Sequence, residues 1–237
     1  MSNPNLAILE LVAGALGPVC DDVVFVGGCA TGLLLTQVRP DRIRITEDVD
    51  IIAQALTARD YHAIEDKVRA RGFSNDMRPG APICRWVYGA VTVDVMPTVQ
   101  DILGFANRWY PLAVATATPV ALASGLSIRL ITAPVFIATK LEAFKDRGRN
   151  ADGQPDYLGS HDLEDIITVV DRRPELLAEC AEAPDELRAY LAQAINHLLA
   201  DEDFNTSLAG HLPGDASSQG RLQKLRDALR MLSNLKA

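Results

Sequence analysis

The sequence predicts an α/β (α+β) chain: a small mixed β-sheet core with flanking helices, followed by a helical C-terminal region. Three observations predict it. Short β-branched runs alternate with helical patterns between residues 22 and 97, glycine turns at Gly27-Gly28 and Gly89-Ala90 bound those runs, and helical patterns dominate from about residue 134 onward. The expected division is residues 1–130 for the sheet-bearing domain and 131–237 for the helical one.

Residues 5–16 (NLAILELVAGAL) have apolar spacing suited to a helix, which Gly17-Pro18 ends. Asp22 to Val26 reads as a short buried strand running into Gly27-Gly28, and CATGLLLTQ then opens a helix. Ile43 to Ala53 alternates β-branched residues with Thr and acids as a strand does, and Ala58 to Arg71 is an amphipathic helix closed by Gly72. Ile83 to Val95 predicts two strands joined by a tight turn at Gly89-Ala90.

Short strands and connections are expected from Trp109 to Thr132. A helix is expected over Pro134 to Asp146, followed by the polar loop GRNADGQPDYLG. Ser160 is a suitable N-cap for a helix from His161 to Asp171, with Asp162 and Glu164 in the first turn. Glu175 to Ala237 reads as helical with a break around His211 to Gln219.

Composition narrows the function classes. Of 237 residues, 48% are apolar and 23% charged, which is globular usage, and a net charge of −8 disfavours a broad grip on duplex DNA. A local basic run, Lys140 to Arg149, stands against that balance. The four cysteines have no metal-ligand or disulfide spacing and read as reduced thiols. Trp109 to Ile128 carries no charge, but Pro111, Pro119 and Gly125 fit a folded core better than a membrane span. With Glu10 inside the first apolar stretch and no basic leader, a cytoplasmic location is expected.

The residues that carry chemistry are acids on strands. Period-2 geometry in TEDVDII puts Thr46, Asp48 and Asp50 on one face, and in VTVDVMP it isolates Asp94 in an apolar strand. Desolvated carboxylates need a cation or a partner, and hard oxygen ligands suit Mg²⁺ or Mn²⁺. Taken singly, each acid reads first as a solvated residue on an open sheet face, and it is the context that turns the reading towards a site. The glycine pair ahead of a helix adds backbone N–H groups that suit phosphate. Lys140 lies four residues from both Phe136 and Phe144, so its stem follows an apolar stripe, as in a phosphate-binding or a snorkelling lysine. Asp162 and Asp165 share a helical face.

The succession GGCATGLLL, RITEDVDII and VDV resembles the nucleotidyltransferase superfamily that includes DNA polymerase beta. Within it the chain is most similar to the AbiEii/AbiGii-type nucleotidyltransferase toxins, whose further pattern KLEAFKDR and HDLED match; His161 stands where that group has Arg or Lys. The resemblance covers about residues 22–171. It implies transfer of a nucleotide from a nucleoside triphosphate such as ATP onto an acceptor hydroxyl, with pyrophosphate released. Asp48, Asp50 and Asp94 would bind metal, and Lys140 would join them in catalysis. Gly27, Gly28, Arg44, Thr46, Arg147, Asp162 and Asp165 would serve the nucleotide. An RNA or protein acceptor and an antitoxin partner are implied, with no membrane partner. The alternatives are transfer to a small aminoglycoside-like molecule, and an inactive fold that binds nucleotide or a partner. Trp86 and Tyr88 are expected in the core, and His62, His197 and His211 are expected to be structural.

Overall fold

The computed structural model describes residues 3–37 and 43–236. The chain opens with helix α1 (Leu6–Leu16), which Gly17 ends at a φ of 56°, a conformation that glycine adopts without strain. A 3-10 turn leads into β1 (Val23–Val26), whose four residues are all buried. Helix α2 (Gly27–Leu34) begins where β1 stops. Then come β2 (Asp48–Ala53), α3 (Ala58–Ala70), β3 (Ser74–Asn75), β4 (Arg85–Tyr88) and β5 (Val91–Pro97). Two short helices, α4 (Gln100–Leu103) and α5 (Tyr110–Thr116), precede the hairpin of β6 (Thr118–Ala121) and β7 (Ser127–Leu130).

The remainder is helical: α6 (Ala133–Arg147), α7 (His161–Arg172), α8 (Leu176–Ala181), α9 (Asp185–Leu199), α10 (Glu202–Ser207), α11 (Ala216–Gln219) and α12 (Leu222–Ser233). Among the described residues the chain forms two compact units, residues 3–33 with 43–132 and residues 34–37 with 133–236. The fold class is the mixed α/β arrangement that the sequence predicts.

In the first unit seven strands form one sheet in the order β3-β4-β5-β2-β1-β7-β6. The pairs β2/β5 and β1/β7 are parallel and the other four pairs are antiparallel. The centre of the sheet is strongly apolar: Val23, Val24, Phe25, Val49, Ile51, Ile52, Val93 and Val95 are fully buried. At roughly 1.5 to 3 kcal/mol for each fully buried large apolar side chain, this cluster anchors the strands on which the acids sit. Helix α3 starts with a capping box between Thr57 and Asp60 and lays Tyr61, Ile64 and Val68 inward. The Tyr61 hydroxyl donates to the Val95 carbonyl at 2.6 Å, tying α3 to β5.

In the second unit α6 packs against α7 and α9, and α12 packs against α9 and α7. Leu187, Leu191, Ile195 and Leu198 on α9 and Leu225, Leu229 and Leu232 on α12 recur at helical spacing and are buried. No helix among the described residues is long and apolar enough to cross a membrane.

Several expectations need correction. The uncharged run from Trp109 begins with helix α5, not strands; Pro111 suits a first turn, and alanines at 113 and 115 favour helix over sheet. Strand β2 starts at Asp48 rather than Ile43, so Thr46 lies ahead of the strand and not on its alternating face. Its would-be ladder partner is missing because β1 ends at Val26 and turns at Gly27. The break in the C-terminal helices shrinks to residues 212–215, since a 3-10 turn reaches His211 and α11 covers Ala216–Gln219. Trp86 is fully buried, and Tyr88 stacks on Phe73 with ring centroids 4.8 Å apart.

Candidate metal and phosphate site

Register across four strands builds the site. Val26 on β1 pairs with Asp50 on β2, Asp50 with Asp94 on β5, and Asp94 with Arg85 on β4. One straight row therefore carries two acids and a guanidinium side by side, and Asp48, two residues before Asp50, shares their face. The structure brings Asp48, Asp50 and Asp94 together, each offering a carboxylate oxygen within 4.8 Å of the others. Asp94 is the most enclosed of them, with its side chain 13% exposed against 40% for Asp48.

The glycine pair is needed at this spot for a steric reason. A Cβ on Gly27 would lie 1.7 Å from the Asp50 Oδ2 and 2.7 Å from the Asp50 Cβ, and Gly27 also holds a φ of 69°. A Cβ on Gly28 would lie 2.3 Å from the Arg44 Nη2 and 2.8 Å from the Thr46 Cγ2. The bare backbone thus lets Asp50, Arg44 and Thr46 crowd onto the first turn of α2. At such a helix start the leading N–H groups have no partner within the helix and carry the positive end of its dipole.

Arg44 and Thr46 are held by a residue that sequence reasoning missed. Asn5, fully buried at the start of α1, accepts from the Thr46 backbone N–H at 3.1 Å and donates its amide to the Arg44 carbonyl at 2.9 Å. A side chain does here what a neighbouring strand would otherwise do. Asn5→Ala leaves a buried N–H and carbonyl without those bonds and is expected to cost about 1 to 3 kcal/mol each at the upper bound of independent losses. Urea denaturation of the variant against wild type checks it. The Thr46 hydroxyl is itself buried and makes no hydrogen bond among the described residues.

Arg85 is the second residue missed. Its Nε and Nη2 donate to the two oxygens of Asp94 at 2.8 and 2.7 Å, and Nη2 lies 3.8 Å from Asp48. The paired carboxylate pushes the Arg85 guanidinium further above its already high range, against the opposing effect of burial. A signal was present in the sequence: counting outward from a turn at Gly89-Ala90 pairs 88 with 91 and hence 85 with 94.

The other predicted residues form a cluster in the helical unit. Lys140 on α6 is 6% exposed, and its Nζ contacts Asp162 at 3.1 Å and Asp165 at 2.6 Å, which lie three residues apart near the start of α7. Arg147, one end of the same helix, donates to both oxygens of Asp162 at 2.9 Å. Burial of Asp162 works against its charge, yet the Arg147 hydrogen bonds and the Lys140 charge prevail and hold its carboxyl below the ordinary range. Lys140 also lies 5.7 Å from the centroid of the Phe136 ring, as its place on an apolar stripe suggested. His161 is exposed and 3.5 Å from Glu164, His62 pairs with Glu65, and the His211 ring bonds to the Tyr157 carbonyl. All four cysteines are buried and form no disulfide among the described residues.

The helical unit also contains a cavity of about 480 Å³ walled by Asp171, Arg172, His211, Asp215 and Arg221 among others. None of the site residues expected from the sequence lines it.

No family model matches the chain, and no curated protein matches it. Among solved structures it is similar to a candidate nucleotidyltransferase from H. pylori at 14% identity and a TM-score of 0.43, covering 99% of this chain and 94% of that one. It is likewise similar to JHP933 from Helicobacter pylori at 14% identity and a TM-score of 0.42, covering 99% and 91%. At so distant a likeness the chemistry of the site has to be read from its own residues.

Proposed function

We propose that the protein is a metal-dependent nucleotidyltransferase that moves a nucleoside monophosphate from a triphosphate onto an acceptor hydroxyl. The observation that carries this reading is the convergence of Asp48, Asp50 and Asp94 within 4.8 Å, against a helix start whose glycine lacks the atom that would collide with Asp50. Three carboxylates on adjoining strands are a donor set for a hard divalent cation, and Thr46, whose methyl faces Gly28 and whose buried hydroxyl makes no hydrogen bond among the described residues, would add an oxygen ligand or a donor for phosphate.

In this reading the α2 N–H groups at Gly27 and Gly28 bind the triphosphate, and Arg44 and Thr46 approach its oxygens from above Gly28. Asp48 and Asp50 would hold Mg²⁺ or Mn²⁺, and Asp94 would help to hold a second ion. Such ions, when bound, polarise the phosphoryl oxygens and neutralise charge that builds up in the transition state. Asp94 also orients the acceptor and takes its proton as the acceptor oxygen bonds to the α-phosphorus. The bond from that phosphorus to the bridging oxygen breaks, and pyrophosphate leaves. Asp162 and Asp165 keep Lys140 oriented, with Arg147 bracing Asp162.

For the acceptor, an RNA or protein hydroxyl is what the sequence resemblance implies, with an aminoglycoside-like molecule as the alternative; Lys140 and Arg147 of the basic run are engaged by Asp162 and Asp165 and do not present an open basic surface. A toxin role with an antitoxin partner follows the sequence resemblance. An inactive nucleotide-binding protein is the competing reading, and the Arg85 fork on Asp94 is the observation that speaks for it. Separate α- and γ-labelled triphosphates distinguish the two. Transfer places the α-label on a macromolecule or metabolite and the γ-label in pyrophosphate; γ-label appearing as inorganic phosphate, or unreacted triphosphate in every cellular fraction, contradicts the transferase reading.

A further inference from the structure

The acid best placed to receive the acceptor's proton is already occupied. Arg85 uses both oxygens of Asp94 and reaches towards Asp48, so one guanidinium lies across two of the three carboxylates proposed to hold metal. A divalent ion ligated by those oxygens at roughly 2.0 to 2.2 Å would sit beside a fixed positive charge in a partly desolvated site, where like charges repel strongly. The two cations compete for the same oxygens. Arg85 is free to yield, because its side chain is 26% exposed and stands on β4, next to but not within the pair of strands that carries the triad.

We propose that Arg85 is a built-in counter-cation that keeps free divalent metal off the triad and surrenders Asp94 when a nucleoside triphosphate offers its guanidinium another anion. Metal and nucleotide then bind as a unit: bare metal binds weakly, and the triphosphate tightens it. The bidentate geometry matters, since the planar fork matches a carboxylate and a phosphate alike, whereas a lysine ammonium engages only one oxygen strongly. This inference rests on the triad being a metal site.

Mn²⁺ titration followed by electron paramagnetic resonance tests it without reference to turnover, using full-length wild type, Arg85→Gln, Arg85→Lys and Asp48→Asn, each with and without a non-hydrolysable triphosphate analogue. Arg85→Gln is expected to bind Mn²⁺ at least about tenfold more tightly than wild type in the absence of nucleotide, with Arg85→Lys in between. The analogue is expected to tighten Mn²⁺ binding in wild type and to do so much less in Arg85→Gln. Equal or weaker Mn²⁺ affinity in Arg85→Gln overturns the proposal and leaves the metal site standing. If Arg85→Gln does not fold, Arg85→Lys carries the same test, and an affinity no higher than wild type overturns it. Mn²⁺ bound by Asp48→Asn as well as by wild type, or by no protein at all, removes the metal site and this inference with it.

Discussion

Gly27→Ala is expected to reduce nucleotidyl transfer by at least about 100-fold while leaving a folded protein, because it evicts Asp50 from the triad. The added Cβ would fall 1.7 Å from the Asp50 Oδ2 and 2.7 Å from its Cβ, too close for a rotation of the carboxylate alone to relieve. It would also force an L-residue to a φ of 69°, a conformation costing of order 1 to 3 kcal/mol where the surroundings enforce it. The two effects separate experimentally. Thermal unfolding reads the backbone strain, and Mn²⁺ affinity together with label transfer reads the loss of the carboxylate. A variant that transfers nucleotide at the wild-type rate would mean that the crowding of α2 against Asp50 has no part in the chemistry.

The second large effect concerns stability. Lys140→Met keeps the length and apolar stem of the side chain but withdraws the cation from between Asp162 and Asp165, and is expected to destabilise the protein by about 3 to 5 kcal/mol. Removing Lys140 leaves two buried carboxylates with less of the positive charge that compensated their desolvation, although Arg147 still braces Asp162. Removing all three charges together, as Lys140→Met with Asp162→Asn and Asp165→Asn, is expected to recover much of the loss, because neutral buried groups need no counter-ion. Urea midpoints at neutral pH measure both.

Acid dependence of the same cluster provides an independent check. The Asp162 carboxyl lies below its ordinary value of 3.8 in the folded protein, so the unfolded chain takes up that proton first as pH falls. The stabilisation it provides is complete above the ordinary carboxylate range and is lost as pH drops through the lower, folded value. Wild type should therefore lose stability steeply below about pH 4. Lys140→Met, with less to hold the carboxyl down, should show a shallower loss over that window. Parallel curves for the two proteins would mean that Lys140 does not help to keep Asp162 ionised.

What the sequence could and could not disclose divides along physical lines. Asp48, Asp50 and Asp94 were legible because alternation along a strand fixes which side chains share a face, whatever the neighbouring strands are. Gly27-Gly28 was legible as a strand-to-helix junction, but its reason, room for Asp50, Arg44 and Thr46, exists only in three dimensions. Asn5 was invisible because its bonds run to backbone atoms 39 and 41 residues away, and no local pattern encodes them. Arg85 could have been found by counting pairs from the turn at Gly89-Ala90, yet an arginine next to a tryptophan in a strand advertises nothing unless that register is worked through.

The same division holds for the fold. The amphipathic helices α3, α7 and α12 declare themselves by spacing over three or more turns. Helix α5 is too short and too uniformly apolar for helix and strand periods to be told apart, and β3 and α4 have two and four residues, too few to carry any period. The pairing of Lys140 with Asp162 and Asp165 needed α6 and α7 to pack, which spacing within either helix could only suggest.

The central claim is that the three carboxylates serve nucleotide transfer, and the most direct test compares wild type with Asp48→Asn/Asp50→Asn. Each protein is incubated with each α-labelled nucleoside triphosphate, Mg²⁺, and separated cellular RNA, protein and metabolite fractions. The expected result is label carried onto one fraction by wild type alone, with both proteins equally folded by circular dichroism. Label carried equally by the double variant, or by neither protein with any triphosphate and fraction, would contradict the assignment of the triad as the catalytic centre.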